Sequence, residues 1–155
     1  MSTFYDAFEH SPVPVPGPDA QPPEVFRGIY GMPMFVTVPT PDLDRSADFW
    51  TRGLGFVNLF CLPQQLIHLR RWAFQDVLLV PGEADSRAAK LSVSFACVRS
   101  QIESLHSDCQ TLLPGASSGP LERPWNSTEL EITTPEGTLV VMTAANAVEQ
   151  KAWPL

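Results

Sequence analysis

Thr128-Glu-Leu-Glu-Ile-Thr-Thr-Pro-Glu-Gly-Thr-Leu-Val-Val-Met-Thr143 reads as two strands around a tight turn. In the first run Leu130 and Ile132 point one way and Glu129 and Glu131 the other, the period-2 alternation of a half-buried strand. Thr134-Pro135-Glu136-Gly137 is the turn, with proline pre-setting one residue and glycine free to take a positive φ. The second run, Leu139-Val140-Val141-Met142, has no polar side chain on either face. Such a strand predicts burial on both sides, or one face in the core and one lining a cleft.

The same grammar runs through the chain from Met32. Met34–Val38 is strand-like. Thr40-Pro41-Asp42 predicts a helix start, with Thr40 as N-cap and Pro41 in the first position. Leu43, Ala47, Trp50 and Leu54 then form an apolar stripe that Gly53 and Gly55 terminate. Strands are expected over 56–62, 66–72 and 74–80. A second set follows: an alternating strand from Leu91 to Cys97, then a helix opened by a Ser100–Glu103 capping box and continued by Ile102, Leu105 and Cys109. A Gly/Ser/Pro-rich loop spans 113–120, and a weak strand precedes Pro124-Trp125. The two runs of the opening stretch complete the set. Each half is therefore β-α-β-β-β, an internal repeat of structure with slight residue identity.

These elements predict an α+β fold in which two β-α-β-β-β modules form a curved, incomplete-barrel mixed sheet with helices outside. The divisions expected are a proline-rich leader (1–31, partly ordered), a first module (32–82), a linker (83–90), a second module (91–144) and a tail (145–155). The leader carries SPVPVPGPDAQPP at 11–23, six of the chain's 16 prolines, which predicts extended backbone. Its Phe26 and Tyr30 are candidates to pack on the body.

The 155 residues carry a formal charge of −7, which disfavours a nucleic-acid partner. No apolar run approaches the ~18 residues of a membrane span. With no signal peptide visible and three cysteines lacking CxxC spacing, a cytoplasmic protein with reduced thiols is expected.

Three motifs resemble the vicinal oxygen chelate superfamily, which includes glyoxalase I, extradiol dioxygenases and bleomycin-resistance proteins. Pro41–Trp50 followed by Leu54-Gly55-Phe56 looks like its "strand, Asp-Leu, helix ending in an aromatic, Leu-Gly-Phe" signature. Pro124–Leu130 is similar to the proline-tryptophan segment of the bleomycin-resistance branch, with Asn126 for its glycine and Thr128 for its arginine. Thr134–Gly137 stands where that branch has Asp-Pro-Asp-Gly. The resemblance covers Met32 to Ala144. It implies that each module forms half of an incomplete barrel, and that two chains pair so that a cleft forms between halves of different chains.

Enzymes of the superfamily generally hold a divalent ion in the cleft, through His and Glu. Counting from the motifs, those positions fall on Phe35 (or Met34), Ser92 or Ser94, Val141, and the neighbourhood of Val77 to Leu79. None is a strong ligand. His10, His68 and His106 are isolated from one another, and His68 reads as a surface or satisfied histidine. No Gly-rich phosphate loop, nucleophile elbow or paired CxxC is present. Neither a cofactor nor a catalytic residue is therefore assigned.

The resemblance with its metal positions lost implies a ligand-binding protein that sequesters an antibiotic-like molecule without turnover, as a homodimer. Phe35, Phe60, Trp72, Leu79, Ser94, Trp125 and Val141 are the candidate lining. The expected ligand is hydrophobic or aromatic, a bulky or cationic one included, because aromatic faces stack on rings and meet cations. Two other readings stand: an enzyme of the same superfamily, metal-dependent or metal-free, and a scaffold acting through the proline-rich leader.

Overall fold

A computed structural model of the chain describes residues 16–30, 34–83, 92–124 and 126–146. The first half contains β1 (Val36–Thr40), α1 (Leu43–Asp48), β2 (Val57–Leu62), β3 (Leu66–Arg71) and β4 (Gln75–Pro81). The second half contains β5 (Ser92–Cys97), α2 (Ile102–Leu112), β6 (Ser117–Arg123), β7 (Ser127–Thr133) and β8 (Leu139–Ala145). The strands form two four-stranded sheets of identical order, β1-β4-β3-β2 and β5-β8-β7-β6. In each, the first and last strands of the module run parallel and the other neighbours antiparallel. Neither sheet closes on itself. This is the repeated β-α-β-β-β fold that the sequence predicts.

Alternation decides what each sheet shows to the helices. Val38, Ile67, Leu69, Val77 and Leu79 turn inward from the first sheet; Phe95, Leu130, Ile132, Val140 and Met142 turn inward from the second. They join one core with Trp50, Leu54 and Cys109 of the helical layer. The helices approach closely at Gly53, where an added Cβ would lie 3.2 Å from Leu112 Cδ1 and 3.3 Å from Cys109 Sγ.

Three local expectations are corrected. Asp42, not Thr40, caps α1: its Oδ1 accepts from the Arg45 amide at 3.0 Å, while Thr40 Oγ1 accepts from the Asp42 amide at 3.1 Å. The helix runs on through one wider π-turn, Phe49–Gly53. At α2 the Ser100–Glu103 box does not form. A 3-10 turn, Arg99–Gln101, leads in, and the Gln101 side chain accepts from the Val98 amide at 3.2 Å. The Gly/Ser/Pro-rich stretch is not all loop, because Ser117–Pro120 begins β6 as an edge strand, where a missing proline N–H is tolerated.

Two buried polar clusters join the halves. Arg71 donates from Nη2 to Gln101 Oε1 at 2.8 Å and from Nη1 to the Ala96 carbonyl. Burial pulls its guanidinium down to about 10, so it stays charged at neutral pH. Glu136 of the 134–137 turn reaches back to Ser46 and Trp50 of the first half.

Candidate functional site

The helices cover one face of each sheet and leave the other open. On the first sheet the open face carries Thr37 and Pro39 of β1, Leu78 and Val80 of β4, Leu66 and His68 of β3, and Phe60 and Leu62 of β2. Phe35, just before β1, stands on the same side, with its ring edge-on to His68 at 5.3 Å between centroids. Phe35 is 42% exposed and Phe60 51%. A bulge between Asn58 and Phe60 interrupts the β2–β3 register and re-aims Leu59 toward this face, where it lines a pocket with Phe35 and His68.

One end of the face is built differently. Residues 26–30 lie against it, tied to β3 and β4 by a network centred on Asp76. This carboxylate is fully buried and accepts from Tyr30 Oη at 3.0 Å and from Arg70 Nε and Nη2, each at 3.0 Å. His68 Nε2 lies 2.6 Å from Asp76 Oδ2. Arg70 also donates from Nη1 to the Phe26 and Gly28 carbonyls at 2.7 and 2.8 Å, and its guanidinium sits 4.0 Å from the Tyr30 ring centroid. Tyr30 stacks between Phe26 and Phe74, and its hydroxyl accepts from the Phe74 amide at 2.6 Å. Burial, reinforced by the Asp76 carboxylate, holds the Tyr30 phenol above its ordinary pKa, so it remains a donor.

Between residues 27–30 and the sheet is a pocket of about 260 Å³, lined also by Phe35, Leu59, His68 and Arg70. Its described lining belongs wholly to the first half of the chain. The wall opposite the sheet is the chain's own N-terminal segment. Among the described residues the lining carries two arginines and a histidine but no carboxylate, against the acidic balance of the chain as a whole. A larger hollow of about 530 Å³ lies near the start of α1 and the β2–β3 turn. Its Asp42 is already committed to capping, and no buried charge converges there.

On the open face of the second sheet β5 and β8 present small or hydroxylated side chains, and β7 adds the carboxylates of Glu129 and Glu131. Ser94 and Val141 are register partners on it, beside Ser92, Ala96 and Thr143. Glu129 and Glu131 are bridged by Arg123 at 2.9 and 2.8 Å.

Of the seven candidate lining residues, Phe35 and Phe60 share the open face of the first sheet, and Ser94 and Val141 that of the second. Leu79 does not line an open face. It is fully buried on the helix side, because Leu78 is the β4 residue whose parity matches His68. Trp72 sits in the β3–β4 turn at φ 57°, with the Arg71 guanidinium 4.2 Å from its ring centroid and its carbonyl accepting from the Phe26 amide at 2.9 Å. Trp125 lies outside the described residues, as do the leader up to 15, the segment 84–91 and the tail from 147. The residues missed by sequence are Tyr30, Arg70 and Asp76, together with the partnership of His68. Counting across the β3–β4 hairpin would have paired Arg70 with Asp76 but would not have brought in Tyr30.

A divalent ion does not fit the positions inferred for it. Phe35, Leu78 and Val141 offer no donor atom and Ser94 only a neutral hydroxyl. Among the described residues no group of three or more His, Cys, Asp or Glu side chains is arranged to hold a metal. No helix among them is long and apolar enough to cross a membrane.

No family model and no curated protein sequence matches the chain. Solved structures do. The bleomycin-binding protein of Streptomyces verticillus, in complex with copper(II)-bleomycin, superposes with a TM-score of 0.58 at 18% identity, over 77% of this chain and 100% of that one. Lactoylglutathione lyase from Agrobacterium tumefaciens gives 0.56 at 18%, over 81% and 98%. The fosfomycin resistance protein FosX from Mesorhizobium loti gives 0.60 at 13%, over 81% and 100%. The chain therefore has the fold of the vicinal oxygen chelate superfamily, a fold that these three proteins put to different uses.

Proposed function

We propose that the protein binds a small hydrophobic or aromatic molecule on the open face of its first sheet and holds it without turnover, as a sequestering protein. The observation that carries this reading is the uncovered apolar surface around Phe35 and Phe60. Two aromatic side chains about half exposed, beside Leu62, Leu66, Leu78 and Val80, leave apolar area in water that a ligand would remove. The bleomycin-binding protein shows that the fold serves binding. The open face of the second sheet, with Ser94 and Val141 beside the Arg123-bridged Glu129 and Glu131, would complete the enclosure in a homodimer, set against the aromatic face of another copy.

Calorimetric titration with a panel of aromatic antibiotics and with anilinonaphthalene sulfonate tests this reading. Saturable binding that weakens roughly tenfold in Phe35→Ser and Phe60→Ser, with the ligand recovered unchanged, supports it. Failure of every compound to bind would sink it. Sedimentation of the free protein tests the pairing of copies.

One observation favours an enzyme instead. His68, fixed by a buried carboxylate and facing a pocket, is the arrangement of a general base. That reading predicts a product whose formation survives chelators and is lost in His68→Gln.

A further inference from the structure

Asp76 has little capacity left. A carboxylate only accepts hydrogen bonds, and this one already takes Tyr30 and Arg70. The proton in its 2.6 Å contact with His68 is therefore the one on Nε2. In the neutral imidazole that fixes the tautomer and leaves Nδ1 as a bare lone pair. No described residue hydrogen-bonds Nδ1, and the side chain remains 19% exposed at the pocket.

The surroundings narrow what could meet it. Phe35 and Leu59 are apolar walls. Arg70 is neutralised by Asp76 at 3.0 Å. Arg27 also lines the pocket, and no ion pair or hydrogen bond joins it to another described residue. A volume of about 260 Å³ falls below the ~300–1,000 Å³ of drug-sized sites and suits one or two rings.

From this we infer that the pocket takes a small aromatic molecule bearing an ionisable hydroxyl. The ring packs on Phe35 and Leu59, the hydroxyl donates to His68 Nδ1, and Arg27 attracts the negative charge that develops on its oxygen. This rests on the reading that the open face binds small molecules, and replaces the bulky or cationic ligand with a compact acidic one.

The test uses the full-length protein and two probes of nearly equal size, 4-nitrophenol and nitrobenzene. A hydroxyl matched to a waiting acceptor gains a hydrogen bond that nitrobenzene cannot form, so 4-nitrophenol binds roughly tenfold tighter. Bound 4-nitrophenol also shifts toward the absorbance of its phenolate. His68→Gln brings the ratio of the two affinities toward one, whatever it does to each probe alone. Arg27→Gln, at an exposed position that does not threaten folding, weakens 4-nitrophenol several-fold more than it weakens nitrobenzene. Equal binding of the two probes to the wild type, or indifference of 4-nitrophenol to both substitutions, overturns the inference. In either case, saturable binding of anilinonaphthalene sulfonate leaves the broader reading standing, and its absence removes that too.

Discussion

Glu136 Oε1 accepts a hydrogen bond from Trp50 Nε1 at 2.7 Å, across 86 residues of chain. Its other oxygen accepts from Ser46 Oγ at 2.8 Å, and Ser46 shares a 2.8 Å hydrogen bond with Thr40. The tight turn before β8 thus does more than reverse the chain. Proline at 135 and a left-handed Gly137 (φ 90°) hold the turn so that the Glu136 side chain enters the helical layer of the other half. The buried carboxylate is matched by donors on both oxygens, which is the condition for tolerating it.

Glu136→Ala leaves the Trp50 indole N–H and the Ser46 hydroxyl buried without that acceptor. Each orphaned donor costs about 1–3 kcal/mol, and relief of the carboxylate's own desolvation returns part of it. A net loss of about 2–4 kcal/mol in urea unfolding is expected. Glu136→Gln retains one acceptor oxygen and loses less. Equal stability of all three proteins would show that the Glu136 hydrogen bonds contribute nothing to holding the two halves together.

Leu79 and Phe60 are expected to separate packing from binding. Leu79→Ala opens a cavity in the core and costs about 2–5 kcal/mol in chemical denaturation. Phe60→Ser alters an exposed side chain and stays within about 0.5 kcal/mol of wild type. Ligand affinity responds in the opposite order. It falls in Phe60→Ser, and in Leu79→Ala it holds wherever that variant is still folded.

The contrast between these two residues also shows what the sequence could reveal. Periodicity found seven of the eight described strands to within a few residues and both helices, because side-chain parity and an apolar stripe are local properties, whereas the first half of β6 read as loop. Parity within β4 was less legible. Leu78 and Leu79 are chemically alike, and only the hairpin register, Leu78 opposite His68, says which one faces out. His68 read as a surface or satisfied histidine, and which of the two holds was hidden for the same reason. Its partner Asp76 lies eight residues on, across a turn whose Trp72 and Phe74 both take positive φ, an irregularity that bulky aromatics do not announce. Residues 26–30 were legible only as proline-flanked aromatics, since their docking depends on a carboxylate that the fold assembles.

Tyr30→Phe tests that docking. The hydroxyl both donates to Asp76 and accepts from the Phe74 amide, so its removal costs two hydrogen bonds while the aromatic stack persists. The global transition is expected to move little, but segment 26–30 is expected to open more often. Trypsin cleavage after Arg27 reports this directly and should accelerate several-fold in native buffer. An unchanged cleavage rate would mean that stacking and the Arg70 contacts to the Phe26 and Gly28 carbonyls suffice to hold the segment.

Cys109 gives the chain an alkaline limit whose sign can be worked out. Burial, with Asp108 adding to it, pushes its thiol up to about 12 from an ordinary value near 9. Above pH ~9 the unfolded chain loses this proton while the folded chain keeps it, so the folded state binds more protons and stability falls as pH rises. The contribution is fully present below pH ~9 and declines up to about 12, by at most about 1.4 kcal/mol per pH unit. Buried Cys97, pushed up to about 11, acts in the same direction, whereas the adjoining Arg71 guanidinium, depressed by burial, acts in the opposite one. Cys109 is therefore the cleaner case. Urea unfolding from pH 8 to 10.5 should show a decline in the wild type that is visibly shallower in Cys109→Ala, whatever constant offset the lost side chain imposes. Parallel curves for the two proteins would show that this thiol ionises without unfolding.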